Sequence, residues 1–299
     1  MALGDFRNIS RAAQDLHTSQ PSVSRTMTEI EALCGVTLFQ RTHSGTVPTP
    51  QGEILVECAR KMLREVDLAC DEIESLEADP GGGLIRIGSM SLAEVTLLPA
   101  AISRLKVLMP QVAVRVSINT LESLVHRLRL GELDVVLGRL STVDGDPTLH
   151  LQPLYEESFV IVAGTQNPLA LCKAIDWEKL LAQPWLLSAP GTGARSRFDA
   201  FLLAMKYEAP TCLAEVDSYL LTLGLLRETV SVAILPKGIA DTFCESGMLA
   251  ELPASFSSGD ETVGVITSKH AKVSRAASSL LTVLKTAAKS CASQADRCD

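Results

Sequence analysis

The chain has 299 residues, of which 46% are hydrophobic and 21% charged, with a formal net charge of −8. That length suits two or three domains with buried cores, and the apolar content excludes an intrinsically disordered chain. No run reaches the ~18 uninterrupted apolar residues of a membrane span, and the N-terminus lacks the charged-then-apolar plan of a secretory leader, so a cytoplasmic protein without membrane contact is expected.

In chain order, the first informative run is Ser10 to Arg25. Ala12, Ala13 and Leu16 recur on one helical face, and the alanines are small enough for a second helix to cross closely. His17-Thr18-Ser19 breaks that helix. Ser19 is a candidate N-cap for the next, and Pro21 falls in a first turn, where its missing N–H costs nothing. Val23, Met27 and Ile30 are expected to point inward, leaving Gln20, Ser22, Ser24, Arg25 and Thr28 outside to meet bases and phosphates. Spacing alone fits equally a helical hairpin in any α domain.

The same run, continued by Glu29 to Arg41 and by Thr49-Pro50-Gln51-Gly52, resembles the N-terminal signature of the LysR-type transcriptional regulators. The likeness extends in weaker form to about residue 285. It implies a fold of the α plus α/β class: a winged helix-turn-helix over 1–50, a linker helix over 51–79 and a two-lobed, periplasmic-binding-protein-like effector domain over 84–299. Lobe I would take 84–160 and 263–299, and lobe II 161–262. Gln20 to Thr28 would be the recognition helix and Arg41 to Val47 the wing. Candidate contacts to double-stranded DNA are then Thr18, Ser19, Gln20, Pro21, Ser22, Ser24, Arg25 and Thr28, with Arg41, Thr42 and His43 from the wing.

Members of that family carry a full helix before Ser10. Here only nine residues precede it, Gly4 and Asn8 among them, so the first helix is expected to be missing and the start of the chain truncated or internal to a longer reading frame. Up to Gln51, Arg7, Arg11, Arg25 and Arg41 are balanced by Asp5, Asp15, Glu29 and Glu31. So few cations imply weak binding per copy, and affinity from more than one copy.

The following segment supplies a means of pairing. Leu55, Ala59, Met62, Val66, Ala69, Ile73 and Leu76 recur at steps of 4, 3, 4, 3, 4 and 3, a heptad seam on one long helix. Its partner could be the chain's own body. The resemblance implies instead a self-associating linker, giving a dimer with a tetramer open. Asp79-Pro80-Gly81-Gly82-Gly83 then stops the helix as a hinge.

Beyond it, strands (Leu84 to Gly88, Val112 to Ile118, Asp134 to Leu137) alternate with helices (Glu94 to Met109, Leu121 to Leu130), a pattern that predicts a parallel sheet. Phe159 to Ala163 would cross into a second lobe, followed by Trp185 to Leu187, a helix Arg195 to Met205, Ala214 to Val216, a helix Tyr219 to Arg227 and Val230 to Leu235. Thr262 to Thr267 would return, with Val273 to Lys289 as closing helix.

Ligands of open sheets bind beyond strand ends, where helix N-termini present free N–H groups. By that rule and by the resemblance, the small-molecule effector would meet Ser89, Ser91, Asn119, Thr120, Gly138 and Arg139 in one lobe. Ser188, Thr192, Arg195, Ser218, Leu235 and Pro236 face them from the other. A bidentate contact from Arg195 or Arg197 would suit an acidic effector. An effector preferring the closed cleft would shift the lobes, and the resemblance implies that this respaces the readers on DNA and alters recruitment of RNA polymerase. Asp134 to Leu140 and Glu29 to Glu31 look closest to regulators of aromatic-acid or sugar catabolism.

No enzyme is expected. The five histidines are isolated, no phosphate-binding, dinucleotide or esterase motif occurs, and the S-x-x-K match at Ser103 to Lys106 sits in an amphipathic helix without companion motifs. The eight cysteines form no C-x-x-C pair, so no metal site and no cofactor is expected, and the cysteines read as reduced packing residues. Two other readings stay open: a solute-binding protein, and a regulator that pairs or binds effector without gripping DNA.

Overall fold

In this computed structural model the chain divides into two compact units, Met1–Pro80 with Arg129–Glu132, and Gly81–Leu128 with Leu133–Asp299. The structure describes residues 1–43, 45–77, 83–254, 256, 261–269, 271 and 273–295. Ser44, His270, Cys298 and most of the hinge run from Asp79 to Gly82 lie outside them, as do the side chains of Leu76, Cys212 and Cys291.

The first unit runs α1 (Ala2–Phe6), α2 (Ile9–Asp15), α3 (Gln20–Cys34), β1 (Phe39–Thr42), β2 (Gly45–Pro48) and α4 (Pro50–Glu77). The expectation that the first helix is missing is corrected by α1, whose Leu3 is buried. Both residues that argued against it have other roles. Gly4 lets α1 close on α4, since an added Cβ would come within 3.1 Å of Val56. Asn8 is the N-cap of α2, its Oδ1 accepting from the Arg11 N–H at 3.1 Å. Asp5 pairs with Arg60 of α4, and the Arg7 carbonyl accepts from the Thr46 N–H at 2.8 Å, so this single turn ties the wing and the long helix together.

Ala12 and Ala13 are buried as the spacing predicts, but Leu16 is 56% exposed. The helix ends at Asp15, and left-handed His17 (φ 50) turns the chain before Leu16 can reach the core. The Thr49-Pro50-Gln51-Gly52 run has a mechanical reading. Thr49 Oγ1 accepts from the Gly52 N–H at 3.1 Å and donates to the Thr37 carbonyl at 2.8 Å. A Cβ on Gly52 would lie 1.9 Å from the Leu38 carbonyl oxygen, so only glycine fits there.

The second unit continues with β3 (Leu84–Ser89), α5 (Leu97–Leu108), β4 (Ala113–Ile118), α6 (Leu121–Arg129), β5 (Val135–Arg139), β6 (Leu149–Glu157), β7 (Phe159–Gly164) and α7 (Trp177–Leu181). It ends with β8 (Trp185–Leu187), α8 (Gly193–Met205), β9 (Cys212–Glu215), α9 (Tyr219–Glu228), β10 (Val232–Pro236), α10 (Lys237–Glu245), β11 (Leu249–Glu251), β12 (Glu261–Ser268) and α11 (Arg275–Ala295). One sheet is ordered β4-β3-β5-β12-β6 and the other β11-β7-β10-β8-β9.

The expected parallel sheet is corrected to two mixed ones. The β3–β4, β3–β5, β8–β9 and β8–β10 pairs are parallel, whereas β12 runs antiparallel to β5 and β6, and β7 antiparallel to β10 and β11. Strands β6 and β12 carry the chain out of the first lobe and back into it, so they run opposite ways side by side. The nine-residue β6 escaped prediction because Pro153 interrupts it. A proline is tolerated there because β6 is an edge strand, with a register shift at its partner residues Val263/Gly264. The helix expected from Glu94 begins only at Leu97, since Pro99 must sit in a first turn.

Each sheet is covered on both faces. In the first lobe Ile85, Ile87, Leu137 and Val265 pack under α5 and α11, while Leu124, Leu128 and Val136 form the core under α6. In the second, Trp185 and Phe198 stack at 4.7 Å beneath α7 and α8, and Leu226, Leu235 and Ile239 close the opposite face. The packing part of the cysteine expectation is corrected for four of them: Cys34, Cys58, Cys70 and Cys172 are free and exposed, whereas free Cys244 is half-buried and packs against a core of the second lobe.

Candidate functional site

Two arrangements bring the expected residues together, one in each unit. In the first, Ser19 caps α3 by accepting from the Ser22 N–H at 3.4 Å, and Pro21 occupies the first turn. Val23 is buried with Met27 and Ile30 half-buried on its side, which leaves Gln20, Pro21, Ser22, Arg25 and Thr28 exposed and Ser24 at the margin. Thr18 and Ser19 are exposed in the turn. Arg25 Nε donates to Glu29 Oε1 at 3.0 Å while staying 83% exposed, so an incoming phosphate competes only with a solvated pair. Gln20 donates to Ser10 Oγ, fixing the start of α3 on α2.

Strands β1 and β2 form the antiparallel wing, with Arg41, Thr42 and His43 exposed. Glu31, counted in the sequence as a charge balancing the arginines, has a structural task as well. Its Oε1 accepts from the N–H groups of Leu38 and Phe39 at 2.7 and 3.1 Å, anchoring the root of the wing to the end of α3.

In the second unit a cavity of about 320 Å³ opens between the two sheets. It brings together Ser91, Asn119, Thr120, Arg139, Ser188, Thr192, Leu235 and Pro236 of the expected set. The other four stand elsewhere. Ser89 is fully buried and donates to the Met90 carbonyl at 2.8 Å. Gly138 is a packing glycine, since a Cβ there would lie 2.7 Å from Leu121 Cδ1. Ser218 caps α9, accepting from the Leu221 N–H at 3.4 Å. Arg195 is held beside the cavity rather than in its lining: its Nε donates to both carboxylate oxygens of Asp199 at 2.9 and 3.0 Å, and its Nη1 to the Ser188 carbonyl at 3.3 Å.

Arg197, the other expected carboxylate binder, reaches Glu261 at 3.4 Å, and Arg139 reaches the same carboxylate at 3.4 Å. The close approach has a sequence basis in Gly193: a Cβ there would lie 2.0 Å from Arg139 Nη1. Sequence reading missed the acidic part of the lining, Glu157, Asp217 and Glu261. Glu157 and Glu261 are directly opposed across β6 and β12, and both are buried. Burial pushes the Glu157 carboxyl up to about 7 despite stabilising backbone N–H groups of Gly238 and Lys237. Burial, with the Glu157 charge, pushes the Tyr219 phenol up to about 12. No signal in the primary sequence singled out Glu157, because its importance comes from a strand pairing 104 residues long in the chain, from 157 to 261.

Among the described residues no group of His, Cys, Asp and Glu is placed to hold a metal ion, and no helix is long and apolar enough to cross a membrane.

Comparison with known proteins addresses both units. Residues 1–53 match the model of the bacterial regulatory helix-turn-helix protein, lysR family, and residues 78–289 match that of the LysR substrate binding domain. The HTH-type transcriptional regulator GbpR of Azospirillum brasilense is 28% identical over 288 residues, covering 96% of this chain and 84% of that protein. Full-length CbnR complexed with its target DNA superposes with a TM-score of 0.67 at 19% identity, covering 96% of each chain. The effector binding domain of QuiR in complex with shikimate gives 0.57 at 16% identity, over 70% of this chain and 99% of that one.

Proposed function

This chain belongs to the LysR family of transcriptional regulators, pairing a DNA-binding helix-turn-helix with an effector-binding domain, and from that premise we propose how it works. It reads double-stranded DNA with residues 1–50, the edges of bases being met by Gln20, Ser22, Ser24, Arg25 and Thr28. Thr18, Ser19, Pro21, Arg41, Thr42 and His43 hold the backbone. The observation that carries the reading is α3, sealed on one side by Val23 and polar and exposed on the other.

Residues 51–79 pair two copies through the seam that starts at Leu55. Met62, Val66 and Ile73 support this, standing 64%, 57% and 57% exposed in the single chain. Two dimers assembling further, as a tetramer, would suit the same surface logic. Residues 84–299 hold the effector in the interlobe cavity through Ser91, Asn119, Thr120, Arg139, Ser188 and Thr192. The CbnR complex with DNA and the QuiR complex with shikimate support the two ligand classes by analogy of fold. Effector binding would bias the lobes and through them the readers, with RNA polymerase as the downstream partner. The work is done in the cytoplasm, beside the chromosome, and involves no catalysis and no cofactor.

A gel-shift titration on the DNA upstream of the chain's own coding region tests the reading. Arg25→Ala is expected to weaken binding about tenfold, the loss of one good base or phosphate contact, with an unchanged circular dichroism spectrum. An unchanged shift for Arg25→Ala combined with Gln20→Ala would reject α3 as the reading element.

A further inference from the structure

The charge balance of the interlobe cavity argues for a particular kind of ligand. This inference rests on the cavity being the effector site. Arg139 is the lining cation among the described residues, against the carboxylates of Glu157, Asp217 and Glu261. Its guanidinium is already held at 3.4 Å by Glu261, which Arg197 shares at 3.4 Å. Lys237, at the start of α10, turns its ammonium to Asp241 at 2.9 Å and Glu251 at 3.3 Å. A bare carboxylate would therefore enter beside the carboxylates of Glu157, Asp217 and Glu261, while the nearby guanidiniums of Arg139 and Arg197 are already ion-paired to Glu261.

A full cation is opposed from the other side. The N-terminal turns of α6, α8 and α9 open on the cavity through Thr120 and Leu121, Gly193 and Ala194, and Tyr219, with the positive ends of three helix dipoles. Two of the lining carboxylates are themselves engaged by backbone donors: Asp217 Oδ1 accepts from the Ala189 N–H, in the loop before α8, at 3.1 Å, and Glu157 Oε1 from the Gly238 N–H of α10 at 3.4 Å. Helix N-termini that disfavour a cation thus stand beside carboxylates that disfavour an anion.

What remains is a demand for hydrogen bonds of both senses. Glu157 and Asp217 keep acceptor oxygens for ligand hydroxyls. Asn119 and Thr120 line the same cavity with an amide and a hydroxyl that can donate to ligand acceptors. Phe159, Ile234 and Leu235 supply an apolar floor for a carbon ring. We propose that the effector is an uncharged, polyhydroxylated small molecule of sugar or cyclitol size, and that Glu157 is the residue that selects it by accepting its hydroxyls.

Because Glu157 titrates near 7, its acceptor strength is pH-dependent. It faces Tyr155 on its own strand, Glu261 across β12, Tyr219 on α9, and Asp241 with the backbone of Lys237 and Gly238 on α10. The electrostatics around Tyr219 also include Arg139 and Glu94.

The test uses the full chain and a size-matched probe series: neutral D-glucose, D-galactose and myo-inositol, the anions D-glucuronate, benzoate and cis,cis-muconate, and the cation D-glucosamine. Thermal shift and titration calorimetry at millimolar probe are expected to detect the neutral members only. Their affinity should fall about tenfold from about pH 8 to about pH 6, the fall in the ionised fraction of a group titrating near 7. Glu157→Gln should flatten that dependence, and Ile234→Trp, which fills the cavity, should abolish binding.

An anion outbinding its neutral counterpart, a neutral probe indifferent to pH and to Glu157→Gln, or silence from all three neutral probes overturns the ligand class. If anions bind and Ile234→Trp abolishes them, the cavity stands as the effector site and only the class falls. Any hit that survives Ile234→Trp removes the site itself, and with it the reading on which the class was built.

Discussion

Along α4 of the helical unit, side chains as large as Met62, Val66 and Ile73 stand in water, whereas in the two-lobed unit Ile85, Ile87, Trp185 and Phe198 are wholly withdrawn from it. Among the described residues of 1–80 the buried hydrophobic side chains are Leu3, Ala12, Ala13, Val23, Leu38 and Val56, and caps and short backbone bridges add to them. The two-lobed unit has a closed core on each face of each sheet. One unit thus leaves an apolar stripe in water, and the other keeps its large apolar side chains inside. The contrast fits the proposed tasks: a surface proposed to meet DNA and a second copy keeps its groups outside, while a cavity proposed to select a ligand by charge sits in a low-dielectric frame.

The largest break in that comparison is expected from the seam. Met62→Asp with Val66→Asp should convert a dimer to a monomer by sedimentation and lower operator affinity about a hundredfold through lost bivalency. The melting of the two-lobed unit should not move. A variant that stays dimeric would place the pairing surface elsewhere.

A smaller effect, confined to the other unit, is expected from Glu157. Its folded-state value of about 7 lies above the ordinary carboxylate value, so the folded chain holds the extra proton between the two. Stability is therefore greatest at low pH, falls as pH rises toward 7, and stays low above it. Glu157→Gln should remove that fall, stabilising the two-lobed unit by about 3 kcal/mol near pH 8 and by nothing below the ordinary carboxylate range. Denaturant melts of the two proteins across pH read this directly, and parallel curves would show that Glu157 ionises freely.

The smallest is at the cap of α3. Ser19→Ala should cost about 1 kcal/mol and loosen the helical unit alone, as read by amide exchange over residues 20–24. Equal loosening in both units would erase the distinction drawn between them.

The two units also differed in how much of them could be read from sequence. The elements around α3 were legible because caps, turns and helical periodicity are written within a few residues: Ser19 and Pro21 behave as their spacing predicts. Gly4 and Asn8 misled for different reasons. A glycine read as a helix breaker is a close-packing site against Val56, which is a long-range fact, whereas the asparagine read as a breaker is a local cap three residues from its donor that sequence reading overlooked. In the cavity, strand ends and helix starts located Ser91, Asn119, Thr120 and Thr192, since an N-terminus after a strand is a local pattern. Arg195 and Arg197 misled because their carboxylate partners, Asp199 and Glu261, were already within the chain.

From its sequence alone this chain specified a reading helix, an apolar seam and two alternating lobes, because periodicity, capping and turn chemistry act over a handful of neighbouring residues. Tertiary structure decided the mixed order of the sheets and the charge of the cavity. Glu157 and Glu261 become neighbours only when β6 lies beside β12, and a carboxyl takes its pKa from what surrounds it in space rather than from what precedes it in the chain.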